Sequence, residues 1–562
     1  MIHPNDIADL FAKKYKDVYN CVPSDMHTMQ GIEDVIMHSI KDCEHADAIV
    51  TLNDVNEAMA RIKANKGDGD KGLLSNHLIF AGDALHMQLS GLFTAIFSHG
   101  YMPKSLVIST IISIPKDYTE SLSDSNNYRG IALSSSIGKL FDWIYLKRNA
   151  DKLDTSSLQF AFKPKLGTTM CTLTLKEVIT HYMNNQSDVF SCFIDASKAF
   201  DRIRHDQLFT LLIERQVSAM DIRILMNQYK HQKIRTTWKG SMSETFTAMN
   251  GIRQGSVASP TLFCIYLDEL IKRLQRLGVG CWFGDKYVGS LAYADDLTLT
   301  CPSADGLQQM VQVCEEFGEQ YGMQFNPKKS VCIVFTKKKR VSEPQIILSG
   351  QRLKWVKEVK HLGNWLSTKL DEQCEIKMKR NNFIIRVNQI IANFGSVKEE
   401  TKLKVFQSQC CDFYGCQAWR FSDNWCDSYH KLYNRSVRRL LNLPYATHTR
   451  FLQVFTKMPL SEDTVFNRFI KIYKSMACNT NEVVRLVARS NCENKMTIIG
   501  GNISLISKKF GYDVGITHKK RQYTLSTEDV SICKAIEDAR GRDIDFFDLN
   551  EIELFIYQLC VN

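Results

Sequence analysis

Several things are missing from this sequence, and each absence narrows what it can be. No stretch reaches the ~18–20 uninterrupted apolar residues that a membrane-spanning helix needs, and the longest candidate, SLVISTIISI at 105–114, has the length of a strand. The opening MIHPNDIADLFAKKYKD lacks the apolar core of a secretory signal. The 18 cysteines are scattered and form no Cys-x-x-Cys pair, which argues for reduced thiols rather than a disulfide framework. Internal repeats and low-complexity tracts are absent as well. These absences lead us to expect an intracellular protein, of nucleus and/or cytoplasm, with no membrane partner.

What is there is a chain of 562 residues, long enough for three or four folded units at ~100–200 residues each. A hydrophobic share of 44% and a charged share of 23% are ordinary for globular proteins. The net charge of +10 is unevenly placed: residues 351–450 hold 18 Lys and Arg against 9 Asp and Glu. A concentrated basic region is the expected footprint of phosphate-backbone binding, although solvated helix faces carry lysines too.

Hydrophobic periodicity organises the middle of the chain. VFSCFID (189–195) is an apolar run ending on an aspartate and reads as a buried strand. Apolar Phe200, Ile203, Leu208, Leu211 and Leu212 give helical spacing over 197–215. A further helix is expected over 261–277, just after Pro260. In SLAYADDLTLT (290–300) the apolar side chains alternate around two aspartates, the pattern of a hairpin with a carboxylate tip. Leu307, Met310, Cys314, Phe317 and Tyr321 then recur at helical steps up to Gly322, a C-cap residue, and VCIVF (331–335) is a last short strand. Strand, helix, hairpin, helix, strand is the split βαβ, ferredoxin-like order. From about Glu375 to Leu441 the pattern is helical and basic, and a charge run at Lys337–Arg340 marks a boundary near 340–350.

That order can bring Asp195, at a strand end, beside Asp295 and Asp296 at the hairpin bend. Hard cations prefer such oxygen ligands and leave positions for water and substrate phosphates. A pair of them ~3.5–4 Å apart suits in-line phosphoryl displacement. A lone Asp-Asp is most often a turn, but apolar strands on both sides favour a site.

The resemblance then becomes specific. FIDASKAFDRI (193–203), GIRQGSVASPTLF (251–263) and YADDLTL (293–299) resemble three ordered motifs of LINE-type (non-LTR) retrotransposon reverse transcriptases, of the jockey-like or a related kind. NYRGIALSSSIGKLFD (127–142) and QFAFKPKLGTT (159–169) are similar to the segments before them, and GMQFNPKKS (322–330) and VKHLGNWLS (359–367) to those after. The resemblance, over roughly 50–460, implies an α+β right-hand polymerase: fingers, a ferredoxin-like palm, a helical thumb, and a mostly helical C-terminal region. On this reading 1–50 is a connector, 51–345 fingers and palm, 346–460 a basic helical thumb, and 461–562 a region of unknown role.

The activity so implied is RNA-directed DNA polymerisation, with RNA template, DNA primer and dNTPs as partners and two Mg²⁺ ions, or Mn²⁺, as cofactors. Asp195, Asp295 and Asp296 would be the catalytic and metal-binding carboxylates. Phe200 would crowd a ribose 2′-hydroxyl, although spacing alone equally allows a core aromatic. Gln254 would lie near the incoming nucleotide, and Gly255 would let the backbone approach it. Arg129 and Lys139 would clamp the triphosphate. No endonuclease is evident upstream, so a truncated reading frame served by a separate endonuclease is expected.

Other readings compete. A catalytically inactive nucleic-acid-binding descendant would keep the fold, and the intact aspartates argue against it. An intron maturase or telomerase lineage would share the palm, but SKAFD, GIRQGS, WRFSDNW and NLPYATHTRF look more LINE-like. Gly67–Asp70 lacks the closing Glu of a calcium loop. Cys411, Cys416, Cys426 and His430 are too irregularly spaced for a zinc knuckle, and packed thiols are expected there.

Overall fold

In the computed structural model, residues 3–510 are described, apart from 23, 42–47, 68–72, 340–341, 411–413, 448–451 and 453–460. Asp68–Asp70 of the candidate calcium loop and Cys411 of the candidate knuckle lie outside the described residues, as does 511–562.

The elements that build the site come in this chain order: α1 (Pro4–Val18), β1 (Ile108–Pro115), β2 (Tyr128–Leu133), α2 (Ser136–Arg148), β3 (Val189–Ile194), α3 (His205–Glu214), β4 (Lys233–Trp238), α4 (Ser259–Leu277), β5 (Ser290–Tyr293), β6 (Asp296–Cys301), α5 (Ala304–Tyr321) and β7 (Val331–Phe335). Four of the strands form a sheet in the order β7-β3-β6-β5, with the short strand Lys354–Trp355 added outside β7. Numbered from β3, this is the 4-1-3-2 order of a ferredoxin-like fold, with α5 making the second crossover, as the periodicity predicts. The side chains of β6 are buried from Leu297 to Cys301, so both faces of the sheet are covered and the strands read as continuous apolar runs.

The second sheet has β1 at its centre. It pairs antiparallel with β2 and parallel with β4, Ile108 opposite Lys233. Against it packs α1, whose Phe11 and Tyr15, followed by Tyr19, join Ile111, Tyr128 and Ile234 in one buried cluster. The helix starts cleanly because His3 caps it and Pro4 occupies the first turn, where a missing N–H costs nothing.

One helix departs from expectation. The spacing predicts it from 197, yet 199–202 is a 3₁₀ turn and α3 begins at His205. Two local facts explain the delay: Lys198 takes a left-handed conformation at φ 50°, and Ser197 N–H is drawn to Gln324 O at 2.8 Å. The α4 helix begins at Ser259 with Pro260 inside its first turn, where it was expected just after the proline. Its end at Gly278 is a left-handed cap.

The chain divides into two units. One comprises 1–166, 190–332 and 342–356; the other comprises 167–189, 333–341 and 357–562. The second unit contains the helix Thr168–Asn184, the hairpin Glu358–His361/Asn364–Ser367, and helices Gln373–Phe394, Glu399–Cys410, Asp423–Leu440, Ser461–Ala477, Glu482–Asn491 and Ile498–Phe510. Its interior is held partly by ionic contacts: Lys176 Nζ donates to Glu372 Oε1 at 2.9 Å and to Ala418 O at 2.6 Å, both carbon stems being buried.

Candidate active site

The site is assembled by strand register. On β6, Leu297 pairs with Ile194 of β3, and Tyr293 of β5 closes the hairpin on Asp296. One further step in that antiparallel register sets Asp296 opposite Asp195, a separation at which side chains interact directly. The two-residue loop is Ala294–Asp295, and Ala294 takes φ 55°, as tight hairpin loops require. A left-handed alanine costs about 1–2 kcal/mol, so something must hold it. Gln159, fully buried, does so: its Oε1 accepts from Ala294 N at 3.1 Å and from Ala161 N at 3.0 Å. Gln159 stands in the QFAF stretch, running alongside β5, where Phe160 N donates to Ala292 O at 2.8 Å.

The backbone of Asp195 is fixed from the other side by the GMQFNPKKS segment. Its N–H donates to Ser330 Oγ at 3.1 Å, and its carbonyl accepts from Asn326 N at 2.8 Å. The three carboxyls sense one another. Partial burial raises Asp195, with Lys329 opposing and Asp295 adding to the rise. Burial also raises Asp295, opposed by Arg129. Asp296 is pushed up to about 6 by burial, then by Asp295 and Asp195. Asp295 and Asp296 still reach solvent, so the cluster is a crowded, accessible patch of negative charge.

Oxygen-only donors under mutual repulsion are the set a hard divalent cation suits. Among the described residues no three His, Cys, Asp or Glu side chains close into a ready-made metal cage. Substrate phosphate and water oxygens would have to complete any coordination sphere.

The nucleotide candidates fall nearby in different ways. Phe200 stacks on Phe263 of α4, rings 4.2 Å apart and 10° from parallel, the contact of a packed aromatic. Gln254 does not stand free: its Nε2 donates to Asp201 Oδ1 at 2.9 Å. Asp201 is pushed up to about 6 by burial while Gln254, Tyr19, Lys198 and Arg129 hold it down. Gly255 has φ 119°, and a side chain there would begin 2.3 Å from Ala132 O. The neighbouring Gln254 O accepts from Ala132 N at 2.7 Å, so the loop lies flat on β2 and only glycine fits. Arg129, on β2, acts on both Asp295 and Asp201. Lys139 sits half-buried in the first turns of α2.

Several residues were not singled out from sequence. Asp142 of α2 is buried and accepts from Ser256 Oγ at 2.7 Å, Val257 N at 3.1 Å and Ala258 N at 3.3 Å. It thereby ties the end of the GIRQGS loop to the start of α4. Lys14, Lys116 and Lys198 form a mutually repelling group: Lys14 is lowered to about 8 by burial and then by the other two. Lys116 is lowered by burial, then by Lys329, Arg129 and Lys198. Lys198 and Lys329 stand in the quoted motifs and could have been nominated from them; Lys116, just after β1, and Lys14 of α1 carried no such signal.

Carboxylates on the two central strands of a ferredoxin-like sheet, faced by cations, form a site suited to divalent-metal phosphoryl chemistry. Residues 114–366 match the family described as reverse transcriptase (RNA-dependent DNA polymerase). The chain is 24% identical over 452 residues to the RNA-directed DNA polymerase from mobile element jockey of Drosophila funebris, a match covering 78% of this chain and 49% of that protein. It is 25% identical over 241 residues to the Pol polyprotein from type-1 retrotransposable element R2 of Nasonia vitripennis, covering 43% of this chain and 23% of that protein. Residues 114–366 are thus similar to a reverse transcriptase domain, and the chain to the polymerases of non-LTR retrotransposons. It spans about half the length of the jockey relative. An apo telomerase structure from Candida tropicalis overlays at 13% identity with a TM-score of 0.34, covering 51% of this chain and 60% of its own, too loose a likeness to carry geometry across.

Proposed function

We propose that this chain is an RNA-directed DNA polymerase that extends a DNA primer on an RNA template, as part of a non-LTR retrotransposon's copying machinery. The observation that carries the reading is the register that sets Asp195 opposite Asp296, with Asp295 on the adjoining turn. In this reading 51–345 forms fingers and palm, and the basic stretch 346–460 is a thumb whose phosphate contacts are sequence-independent. The protein works in the nucleus and/or cytoplasm, with RNA template, DNA primer, dNTPs and an endonuclease that nicks the target as its partners.

Asp195, Asp295 and Asp296 would hold two Mg²⁺ ions, with Mn²⁺ able to substitute. Such ions, when bound, activate the primer 3′-hydroxyl and stabilise the leaving pyrophosphate oxygen. The chain's own residues do the rest. Arg129, Lys116, Lys198 and Lys329 draw the triphosphate to the carboxylates and offset its charge, with Lys139 reinforcing them from α2. Phe200, braced by Phe263, blocks the space a 2′-hydroxyl needs. Gln254, its amide turned by Asp201, contacts the nucleotide, while Gly255, lacking a side chain, lets that loop lie against β2 beside it.

The test is dTTP incorporation on poly(A) template with oligo(dT) primer and Mg²⁺, comparing wild type with Asp295→Asn. Incorporation that disappears in the variant is the expected result. A folded wild type that binds the template and incorporates nothing would identify an inactive binding descendant instead.

A further inference from the structure

Fully buried Asn250 stands one residue before the GIRQGS loop, and both ends of its side-chain amide are engaged. Its Nδ2 donates to Val18 O at 3.3 Å and to Asp201 O, while its Oδ1 accepts from Val22 N at 3.4 Å. Two donors and an acceptor on one short planar group are what an asparagine amide offers; an ionised aspartate has no donor, and a serine has one. The backbone strengthens the same joint, because Met249 N and Asn250 N both donate to Tyr19 O, at 3.0 and 3.1 Å. Asn250 therefore bolts the exit of α1 to the base of the loop that carries Gln254.

Its other partner is the 3₁₀ turn that follows Asp195. Carbonyls in and just after that turn are taken in succession: Phe200 O accepts from Ile252 N at 2.9 Å, Asp201 O from Asn250 Nδ2, and Ile203 O from Gly251 N at 2.7 Å. Of these links, only that of Asn250 is made by a side chain. The fit is close, since a side chain on Gly251 would begin 2.7 Å from Asp201 O. Asp201 in turn takes the Gln254 Nε2 at 2.9 Å, and the residue before it is Phe200.

We propose that Asn250 is a positioning residue for nucleotide selection, and that the α1 exit at residues 18–22 is thereby a working part of the nucleotide site. This rests on the reading that Phe200 and Gln254 meet the incoming nucleotide. Asn250 acts through them: it fixes the main chain of Asp201, whose side chain directs Gln254 and whose neighbour is Phe200. Once the amide is lost, the turn and the loop keep their backbone bonds and the Gln254 contact but are no longer tied to α1. The space beside Phe200 then widens and admits a 2′-hydroxyl.

The experiment measures single-turnover incorporation of dUTP and UTP, which differ only in the 2′-hydroxyl, by the full chain on poly(A) with oligo(dT) and Mg²⁺. Wild type is compared with Asn250→Ala and with Asn250→Asp, which keeps the acceptor for Val22 N and loses both donors. Both variants should raise the UTP-to-dUTP ratio by at least about tenfold. A ratio taken on one preparation cancels any misfolded fraction, so lost stability alone does not move it. Combining Asn250→Ala with Phe200→Ala should add little to Phe200→Ala, because both changes act through one ring. An unchanged ratio in both variants, full additivity with Phe200→Ala, or total loss of incorporation by both folded variants would overturn the proposal. Those results require an active wild type and leave the polymerase reading standing; a folded wild type that incorporates no dUTP overturns that reading and this proposal together.

Discussion

Replacing Asp142 should cripple the candidate nucleotide site without altering any residue proposed to contact a nucleotide. Its carboxylate accepts from Ser256 Oγ and from two backbone N–H groups at the entry to α4, and its charge faces Arg253, itself only 3% exposed. Asp142→Ala leaves three donors without their acceptor and a buried guanidinium without a nearby negative charge. At about 1–3 kcal/mol per orphaned buried donor, partly relieved by local hydration, the overlapping losses come to roughly 3–5 kcal/mol in the first unit. Asp142→Asn keeps an acceptor where all three donors converge and loses only the charge, so about 1.5–3 kcal/mol is expected. Urea denaturation should therefore order the proteins wild type, Asn, Ala. The same substitutions free the loop that carries Gln254 and Gly255, and a displacement of about 1 Å there costs on the order of 100-fold in rate. Steady-state dTTP incorporation below the first unfolding transition measures that loss. If both variants unfold with the wild-type midpoint, or if Asp142→Ala is destabilised yet polymerises at the wild-type rate, the reasoning is wrong.

Other expectations follow from single contacts. Gln159→Leu removes the acceptor that holds Ala294 in its left-handed conformation; incorporation should fall by at least about tenfold, and a variant as active as wild type would show that the hairpin needs no such anchor. Phe200→Ala should raise UTP incorporation relative to dTTP on poly(A) by about tenfold or more, worth about 1.4 kcal/mol of discrimination; an unchanged ratio would return Phe200 to a packing role against Phe263. Glu177 gives a pH test of the second unit. Burial pushes its carboxyl up to about 7 against the opposing Ile499 N–H, Arg420, Lys176 and Asn491. A raised folded value means that the unfolded chain loses its proton first, so stability from this group is greatest below about 4.5 and falls as pH rises to about 7, by up to about 3 kcal/mol. Urea midpoints for the second unit at pH 5, 6 and 7 should show that slope in wild type and lose it in Glu177→Gln.

The order of elements around the site was legible because buried strands and amphipathic helices declare themselves by period, and 189–194, 290–301, 304–321 and 331–335 all do. The aspartates were legible because a polar pair between apolar strands is conspicuous. The late start of α3 was not, since it depends on Ser197 bonding to a residue far along the chain. Asp142 and Gln159 lay inside motifs quoted from the sequence, but a short polar residue earns its role only from the partners that folding brings, and neither motif names them. The opening stretch read as a connector sends Phe11, Tyr15 and Tyr19 into the core around β1, because an aromatic stripe on a short helix does not announce its destination.

The interleaving of the two units has a consequence for how the protein is made. The helix Thr168–Asn184 emerges before β3, yet its unit is completed only by residues after 333. Twelve of its positions are buried in the finished protein, on every side of the helix. During synthesis at ~5–20 residues per second, that surface leaves the ribosome well ahead of anything able to cover it. Nascent chains of this protein are thus exposed to aggregation for longer than chains whose domains follow one another. Co-expression with chaperones and slow translation are the conditions under which soluble material should be sought.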